Sequence, residues 1–438
     1  MQNLPVGISE FTELRETKCV YVDKTKYIYS LLKNNRRTFL SRPRRFGKSL
    51  LVSTLEAALQ GKKELFEGLW IANSDYLWLP FGVIRLDFSQ LSIESNEAFK
   101  QSLFLNLQSI AKKNNFKLSN DLNLNSALSL LIEGLCNKET ENYCASVAIL
   151  IDEYDYPILH TLHNSELSVK IRDILKSFSS VIKAQSKEVR FVFITGVSAF
   201  SKSGLSSGLN NLTNLTMDAE FATICGYTDE EIDFSFKEHM EAWVKEKKIG
   251  YSRLREDLKA WYNGYCFKEN SKTVYNPWSL ICAMRAREMQ NFWFESATPQ
   301  VLLDEMSKEG RKKESKLLDL DQLRGTGDLL QTFEIESLPL PALLFQMGYL
   351  TIDSYNPLTR NYELKYPNLE VKASFQRHLL AILTKKQIAG INPLIGDIYG
   401  CLVEEKYDEM IRALTQIFSG IPYPLHIEDE KFITPFCR

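Results

Sequence analysis

Gly47, Lys48 and Ser49 are the residues of this chain whose types and order could bind a polyphosphate. They follow an apolar, strand-like segment that begins at Thr38, and they precede a helical pattern of apolar residues. In a phosphate loop, backbone N–H groups and a helix amino terminus point at the phosphates, a Lys meets the β and γ oxygens, and a hydroxyl joins the Mg²⁺ shell. We therefore predict an ATP site here, with Lys48 as a catalytic residue that also binds phosphate.

The segment just before this tripeptide departs from the usual pattern G-x-x-x-x-G-K-[ST], because Arg42 stands where the first glycine is expected. The residues between are Pro43, Arg44, Arg45 and Phe46. Gly-Lys-Ser alone is a common tripeptide, and the arginines also fit a solvated turn. This motif by itself therefore leaves open both nucleotide binding and a solvated turn. Arginines beside a polyphosphate can add charge-assisted contacts. We predict that the whole segment 42–49 contacts the nucleotide.

A second group of candidate residues ends the apolar run 146–151, where Asp152 and Glu153 follow directly. Ligands in open α/β sheets lie at the carboxyl ends of strands. We predict that Asp152 and Ser49 hold Mg²⁺ and that Glu153 is the catalytic base that orients and deprotonates the attacking water. The alternative is a solvated turn that caps the next helix, and the apolar strand before it disfavours that alternative.

Thr195 and Ser198 lie at and just beyond the end of another apolar strand. A polar residue at the tip of the strand beside the acidic strand can contact the γ-phosphate, and we assign this role to Thr195. The competing interpretation is that either hydroxyl simply bonds to the backbone.

Alternating strand-like and helical segments predict the fold class. The strand-like segments are 37–41, 82–88, 146–151 and 190–196, and the helical ones include 49–60, 96–113, 125–136 and 167–186. Strands separated by helices imply crossover connections and a parallel sheet with helices on both faces. We predict an α/β P-loop NTPase domain of AAA-like type over 37–225, preceded by an approach segment at 1–36.

Beyond residue 225 the pattern changes from mixed to mainly helical. Thr228 or Asp229 could cap the first helix of an α-helical region at 226–316, whose end, 308–316, is charged and without an apolar stripe. From 317 to 438 we predict a winged-helix-like unit with further helices: a helix closed by Gly348, two strands around an Asn356-Pro357 turn, and another helix.

Composition excludes several classes of protein for the 438-residue chain. A net charge of −2 argues against a surface that is basic overall, and 44% hydrophobic with 25% charged residues is typical of a globular protein. The sequence shows neither a signal peptide nor a membrane span. The eight cysteines are scattered, which indicates reduced thiols. We expect a cytoplasmic protein with no membrane partner.

Three weaker patterns have competing interpretations. His160 and His163 have helical spacing but no third metal ligand in view. Asp353 with Glu363-Leu-Lys365 has the residue types of some nuclease metal sites, but it falls on the predicted hairpin. The aromatic residues between Trp261 and Phe294 could stack bases, although a hydrophobic core is the commoner use of such residues.

Taken together, these segments resemble the AAA-ATPase-like family of bacterial proteins, found often in gut Bacteroidetes and their relatives. The matching motifs are Tyr21-Val-Asp-Lys-Thr25, Arg42-Pro-Arg-Arg-Phe-Gly-Lys-Ser49, Leu86-Asp-Phe-Ser89, Ile151-Asp-Glu-Tyr-Asp155, Ile194-Thr-Gly-Val-Ser198, Cys225-Gly-Tyr-Thr228, Tyr275-Asn-Pro-Trp278, Phe345-Gln-Met-Gly-Tyr-Leu350 and Tyr366-Pro-Asn368. The resemblance covers nearly the whole chain. It implies that the phosphate loop of this family has Arg in place of the first glycine.

The same resemblance implies a PD-(D/E)xK nuclease-like domain after the ATPase region. Here the chain stops where that domain would begin, so we expect it to be truncated and to lack nuclease activity. The preferred hypothesis is a Mg²⁺-dependent ATPase that couples nucleotide state to an unknown nucleic acid or protein through its carboxyl-terminal region, with homo-oligomers possible. The alternative is a nucleotide-gated DNA- or protein-binding module with little turnover. Direct nuclease action is the third hypothesis.

Overall fold

A five-stranded parallel sheet forms the centre of the amino-terminal half of the protein. The computed structural model describes residues 1–34, 36–136, 146–162, 164–198, 212–293, 324–326, 340–384 and 388–418. The strands are β1 (Arg37–Ser41), β2 (Gly82–Asp87), β3 (Val147–Asp152), β4 (Val189–Gly196) and β5 (Thr213–Asn214). Their order in the sheet is β2-β3-β4-β1-β5. The four strands predicted from sequence are confirmed to within one residue at each end.

Both faces of this sheet are covered, and β3 shows why. All of its residues are buried, and alternate side chains enter different hydrophobic cores. Ala148 and Leu150 pack on one face, whereas Ile149 and Ile151 pack on the other. A strand of continuous apolar residues therefore suits a sheet between two helical layers, as the sequence predicted.

Two of the helices in the amino-terminal half precede β1, and the others connect successive strands from β1 to β4. In chain order, all of these helices are α1 (Phe11–Glu16), α2 (Thr25–Asn34), α3 (Lys48–Leu59), α4 (Asn96–Lys113), α5 (Leu124–Cys136), α6 (Tyr156–Thr161) and α7 (Ser165–Ala184). Helix α3 packs on the face of Ala148, and α4, α5 and α7 pack on the face of Ile149. The side chain of Ser95 caps α4 and that of Asn164 caps α7, each accepting a backbone N–H bond.

The helical region after residue 225 has its own core. Its helices are α8 (Asp229–Ser235), α9 (Lys237–Lys247), α10 (Tyr251–Tyr262) and α11 (Pro277–Ala286). Thr228 caps α8 in a capping box with Glu231, so the predicted helix start is confirmed. The charged segment 308–316 lies outside the described residues.

A small antiparallel sheet and further helices follow. They comprise β6 (Arg324–Gly325), α12 (Leu340–Met347), β7 (Thr351–Asn356), β8 (Asn361–Lys365), α13 (Leu369–Thr384), α14 (Ile388–Val403) and α15 (Tyr407–Phe418), with the strand order β6-β8-β7. Gly348 has a φ of +88° immediately after α12, which explains why a glycine ends that helix. The predicted sequence of helix, hairpin and helix is confirmed, while the domain boundaries stay predictions.

The helical region and this carboxyl-terminal unit approach each other closely at Gly264. Its φ is +100°, and a Cβ atom there would overlap the Pro367 carbonyl oxygen. Beside it, the Asn368 side-chain amide donates to the Asn263 carbonyl oxygen at 2.9 Å. The turn at 263–264 and the family-like motif at 366–368 therefore form one contact. None of the described helices combines the length and apolar character that crossing a bilayer requires.

Candidate nucleotide-binding site

The phosphate loop connects β1 to α3 and ends in a left-handed glycine. Gly47 has a φ of +86° and precedes Lys48, the first residue of α3. This conformation allows the loop to enter α3, whose first backbone N–H groups have no partner within the helix. Gly47, Lys48 and Ser49 line a cavity at this end of the helix. The partial positive charge of a helix amino terminus favours an anion at this place.

The Lys48 ammonium lies between two oxygen atoms. It donates to the Pro43 carbonyl oxygen at 3.2 Å and forms an ion pair with Glu153 Oε1 at 3.2 Å. Only 3% of the Lys48 side chain is exposed, compared with 22% of that of Glu153. Two residues that are more than a hundred positions apart in sequence, and that were predicted to be catalytic, are therefore in direct contact.

Asp152 is buried beside these groups at the end of β3. Its pKa is raised to about 6, first because the carboxyl is buried and second because Glu153 carries a like charge next to it. A hydrogen bond with the Ser49 side chain and the Lys48 charge act in the opposite direction. The two residues predicted to hold Mg²⁺, Ser49 and Asp152, thus lie within hydrogen-bond reach of each other.

Glu153 has an uncommon backbone conformation, with a φ of +48°. Its backbone N–H donates to Asp152 Oδ1 at 3.0 Å, which fixes the turn at the strand end. A left-handed residue that is not glycine is energetically unfavourable and is found preferentially at functional sites. The turn directs the side chains of Asp152 and Glu153 differently, so that one is buried and the other reaches Lys48.

Sequence reasoning missed Asp87 as a site residue. It ends β2, pairs in register with Asp152, and lines the same cavity as Lys48. Its carboxylate accepts bonds from the backbone and side chain of Ser89 and from the side chain of Gln90. The available signal was a carboxylate at the carboxyl end of a strand that had been predicted correctly.

These oxygen donors suit Mg²⁺ bound in part by the protein. Mg²⁺ usually takes one or two carboxylates and completes its shell with water and phosphate oxygens. Among the described residues, no cluster of three or more His, Cys, Asp or Glu side chains could hold a metal alone. Asp152 and the Ser49 hydroxyl, which are close together at the end of β3, nevertheless suit the predicted partial coordination of Mg²⁺.

Thr195 lies on β4, the strand between β1 and β3, as its predicted role requires. Its side chain is buried, and Oγ1 has no hydrogen-bond partner among the described residues. It does not line the cavity around Lys48. The Ser198 hydroxyl bonds to a side chain and not to the backbone: it donates to the Asp155 carboxylate at 2.7 Å, as does the Ser198 backbone N–H. Contact of Thr195 with a γ-phosphate therefore stays a prediction.

The arginines of the loop have different surroundings. Arg42 is fully buried, donates to the carbonyl oxygens of Thr216 and Phe221 at 2.9 Å, and stacks on Phe267. Burial lowers the pKa of Arg42 to about 10. Its side chain is thus directed at the segment after β5 and away from the cavity, and it gives no support to a phosphate contact. Arg44 and Arg45 do line the cavity.

The cavity itself has a volume of about 460 Å³ and extends well beyond the phosphate loop. Its further walls come from the amino-terminal segment, including Ile8 and Val22, and from the helical region. The latter contributes Tyr227, Trp278 and Ile281. Sequence reasoning missed this part because nothing local relates the first residues of the chain to residues near 280.

The weaker sequence patterns have ordinary structural explanations. His160 Nδ1 bonds to the Tyr156 carbonyl oxygen, and His163 lies outside the described residues. Glu363 and Lys365 are in exposed ion pairs with Arg324 and Asp353. Of the aromatic cluster, Tyr262, Tyr265, Tyr275 and Trp293 are buried, as in a core, and Phe294 lies outside the described residues.

A parallel sheet of this strand order, with Gly-Lys-Ser after β1 and paired carboxylates after β3, defines a protein of the P-loop type. Residues 5–206 match the AAA-ATPase-like family, described as "Predicted AAA-ATPase". The chain is also 33% identical over 435 residues to an "Uncharacterized protein in vnfD 5'region" of Azotobacter chroococcum mcd 1, with 96% of this chain and 78% of the relative covered. The chain belongs to this family of predicted AAA-ATPases.

Proposed function

We propose that the protein binds ATP with Mg²⁺ and hydrolyses it, and that it couples the nucleotide state to a macromolecular partner through its carboxyl-terminal region. The observation that supports this most is the contact between the phosphate-loop lysine and the acidic strand, in which Lys48 Nζ and Glu153 Oε1 are 3.2 Å apart. Family membership is in keeping with nucleotide binding.

Each residue has a distinct role in this proposal. Lys48 and the N–H groups at the start of α3 bind the phosphates, and the carboxylate of Glu153 accepts a proton from the attacking water. Ser49 and Asp152 hold Mg²⁺, which when bound neutralises charge on the phosphate oxygens. The nucleobase occupies the part of the cavity between Ile8 and Ile281, where the walls are mainly apolar.

The proposal is tested by measuring ATP affinity and phosphate release with wild-type protein and with Lys48→Ala. The expected result is micromolar to millimolar binding by the wild type, with Mg²⁺-dependent phosphate release, and loss of both in the variant. Lys33→Ala is the matched control, because Lys33 is an exposed lysine on α2. Equal binding and turnover by wild type and Lys48→Ala would refute the proposal.

A second candidate function is a nucleotide-gated binding module with little turnover. The Lys48–Glu153 ion pair favours it, because a base whose charge is neutralised by a lysine is a weak proton acceptor. Gel shifts with and without ATP distinguish the two functions. Salt-sensitive DNA binding that depends on ATP, without phosphate release, supports the binding module.

A further inference from the structure

The phosphate loop has a conformation that its own residues do not favour. Arg45 has a φ of +68°, in the left-handed region where residues other than glycine are disfavoured. Arg42 also replaces the glycine that usually allows the first turn of such a loop. A loop of this composition needs contacts from outside to hold its shape.

Those outside contacts come from the chain beyond residue 260. The Phe46 ring packs edge-on against Tyr265, with ring centroids 4.7 Å apart, and the Arg45 guanidinium lies 4.5 Å above the Trp278 ring. Gly348 approaches Pro43 so closely that a Cβ atom there would lie 2.6 Å from Pro43 Cβ. The loop is therefore in contact with both the helical region and the carboxyl-terminal unit.

One of these contacts is a hydrogen bond to the loop backbone. The indole N–H of Trp293 donates to the Arg44 carbonyl oxygen at 3.0 Å. Trp293 is fully buried and packs edge-on against Tyr349, with centroids 5.2 Å apart. A buried, directional bond of this kind fixes the orientation of the peptide group that it contacts.

Trp293 is in turn held by Glu370, which is fully buried in the first turn of α13. Glu370 Oε1 accepts the backbone N–H bonds of Phe292 at 2.6 Å and Trp293 at 2.8 Å. It also accepts the hydroxyl of Ser279, on α11, at 3.1 Å. One carboxyl group thus joins α11, the 292–293 segment and α13 directly behind the phosphate loop.

We propose that Trp293, oriented by Glu370, is a positioning residue for the phosphate loop, so that the nucleotide affinity of the loop depends on the packing of the carboxyl-terminal unit. The part that concerns affinity rests on the proposed ATP binding. The part that concerns loop shape does not. Coupling of this kind is reciprocal, so a nucleotide on the loop also stabilises the packing around Glu370.

The test compares four variants by amide hydrogen exchange of residues 44–47 without nucleotide, and by affinity for a fluorescent ATP analogue. Trp293→Phe keeps the ring and removes the donor, and Glu370→Ala removes the acceptor. Glu370→Gln retains a carbonyl oxygen that can accept the same N–H bonds and is the conservative rescue. Trp243→Phe is the matched control, because Trp243 is a buried tryptophan in the separate core of the helical region.

The expected result is faster exchange of the loop amides, by about 3- to 10-fold, and a comparable loss of affinity in Trp293→Phe. Glu370→Ala shows the same change or a larger one, whereas Glu370→Gln and Trp243→Phe stay close to wild type. Loop exchange that does not change in Trp293→Phe overturns the proposal, even if Glu370→Ala fails to fold. An equal change in Trp243→Phe also overturns it, because the effect is then general destabilisation. If wild-type protein binds no nucleotide, the proposed function fails while the exchange data still decide the positioning role.

Discussion

The ion pair between Lys48 and Glu153 conflicts with the roles that we propose for these two residues. The Lys48 ammonium pairs with Glu153, yet binding of a triphosphate requires the same ammonium, and proton abstraction requires a free carboxylate. A phosphate that takes over Lys48 would therefore release Glu153 as a base. In the proposed mechanism, exchange of one ion pair for another is the step at which binding prepares hydrolysis.

Replacing Glu153 with Gln should separate these two roles. The variant keeps the phosphate contacts and loses a negative charge beside the γ-phosphate site, so we expect ATP affinity to be equal or higher. Phosphate release should fall by about 100-fold or more, since general-base catalysis contributes at least that much. Glu166→Gln, at an exposed glutamate on α7, is the control in the same phosphate-release assay. Hydrolysis at the wild-type rate would exclude Glu153 as the base.

The raised pKa of Asp152 predicts how hydrolysis depends on pH. A group with a pKa of about 6 gains its proton as the pH falls below that value, and the protonated form is a poor ligand for Mg²⁺. At limiting Mg²⁺ we expect the rate to fall by about tenfold per pH unit below 6. More Mg²⁺ should shift this fall to lower pH, because metal and proton compete. A rate that is flat from pH 7 to 5 at limiting Mg²⁺ would contradict the role of Asp152.

At the residue scale, sequence was informative where chemistry is local. Lys48, Ser49, Asp152 and Glu153 were predicted because each follows a recognisable strand, and the structure places them together. Arg42 could not be interpreted in this way. Besides the neighbouring Ser41 carbonyl oxygen, it donates to carbonyl oxygens about 175 residues further along the chain, and no local pattern indicates those.

Among the elements, the strands and their helices were predictable because burial on both faces demands continuous apolar runs. β3 illustrates this, since every residue from Val147 to Asp152 is buried. β5 has two residues and an exposed position, so it carries no pattern that sequence analysis could use. The same reasoning explains why the hairpin of β7 and β8 was predicted, whereas the close approach of Gly348 to Pro43 in the phosphate loop was not.

Gly264 provides a test of the contact between the helical region and the carboxyl-terminal unit. Gly264→Ala places a Cβ atom onto the Pro367 carbonyl oxygen at a backbone conformation that only glycine tolerates well. We expect a loss of at least about 2 kcal/mol in the free energy of unfolding, measured by denaturant titration. Gly250→Ala is the control, because a Cβ atom on Gly250 would have no other atom within 4 Å. Equal stability of the two variants would mean that the contact yields without strain.

The raised pKa of Glu370 predicts that the free energy of unfolding depends on pH. Burial raises its pKa from 4.5 to about 7, so the folded protein holds this proton more tightly than the unfolded chain does. The contribution of this bound proton to the free energy of unfolding is therefore complete below pH 4.5 and is lost as the pH rises to about 7. The loss amounts to roughly 3 kcal/mol. The difference in unfolding free energy between wild type and Glu370→Gln should fall by that amount across this window. A constant difference would show that Glu370 is not protonated in the folded protein.

At the scale of the whole molecule, segments distant in sequence are joined around one cavity. Lys24 Nζ donates to Glu231 and to the Thr223 carbonyl oxygen at 2.7 Å, and so connects the amino-terminal segment to α8. Lys24 lines the same cavity as the phosphate loop, and Trp293 donates to the backbone of that loop. Sequence analysis predicted the parallel sheet and the helical region after it, but it gave no information about these contacts, because they depend on tertiary packing alone.

Such an arrangement predicts that ATP stabilises the chain as one unit. A ligand at a concentration 100 times its dissociation constant adds about 2.7 kcal/mol to the free energy of unfolding of the cooperative unit that contains its site. Because the amino-terminal segment, the helical region and the phosphate loop all line the cavity, calorimetry should show one transition that moves to higher temperature with ATP and Mg²⁺. Lys48→Ala should abolish the shift without splitting the transition. Two transitions, of which ATP moves only one, would show that the carboxyl-terminal unit unfolds independently of the loop it supports.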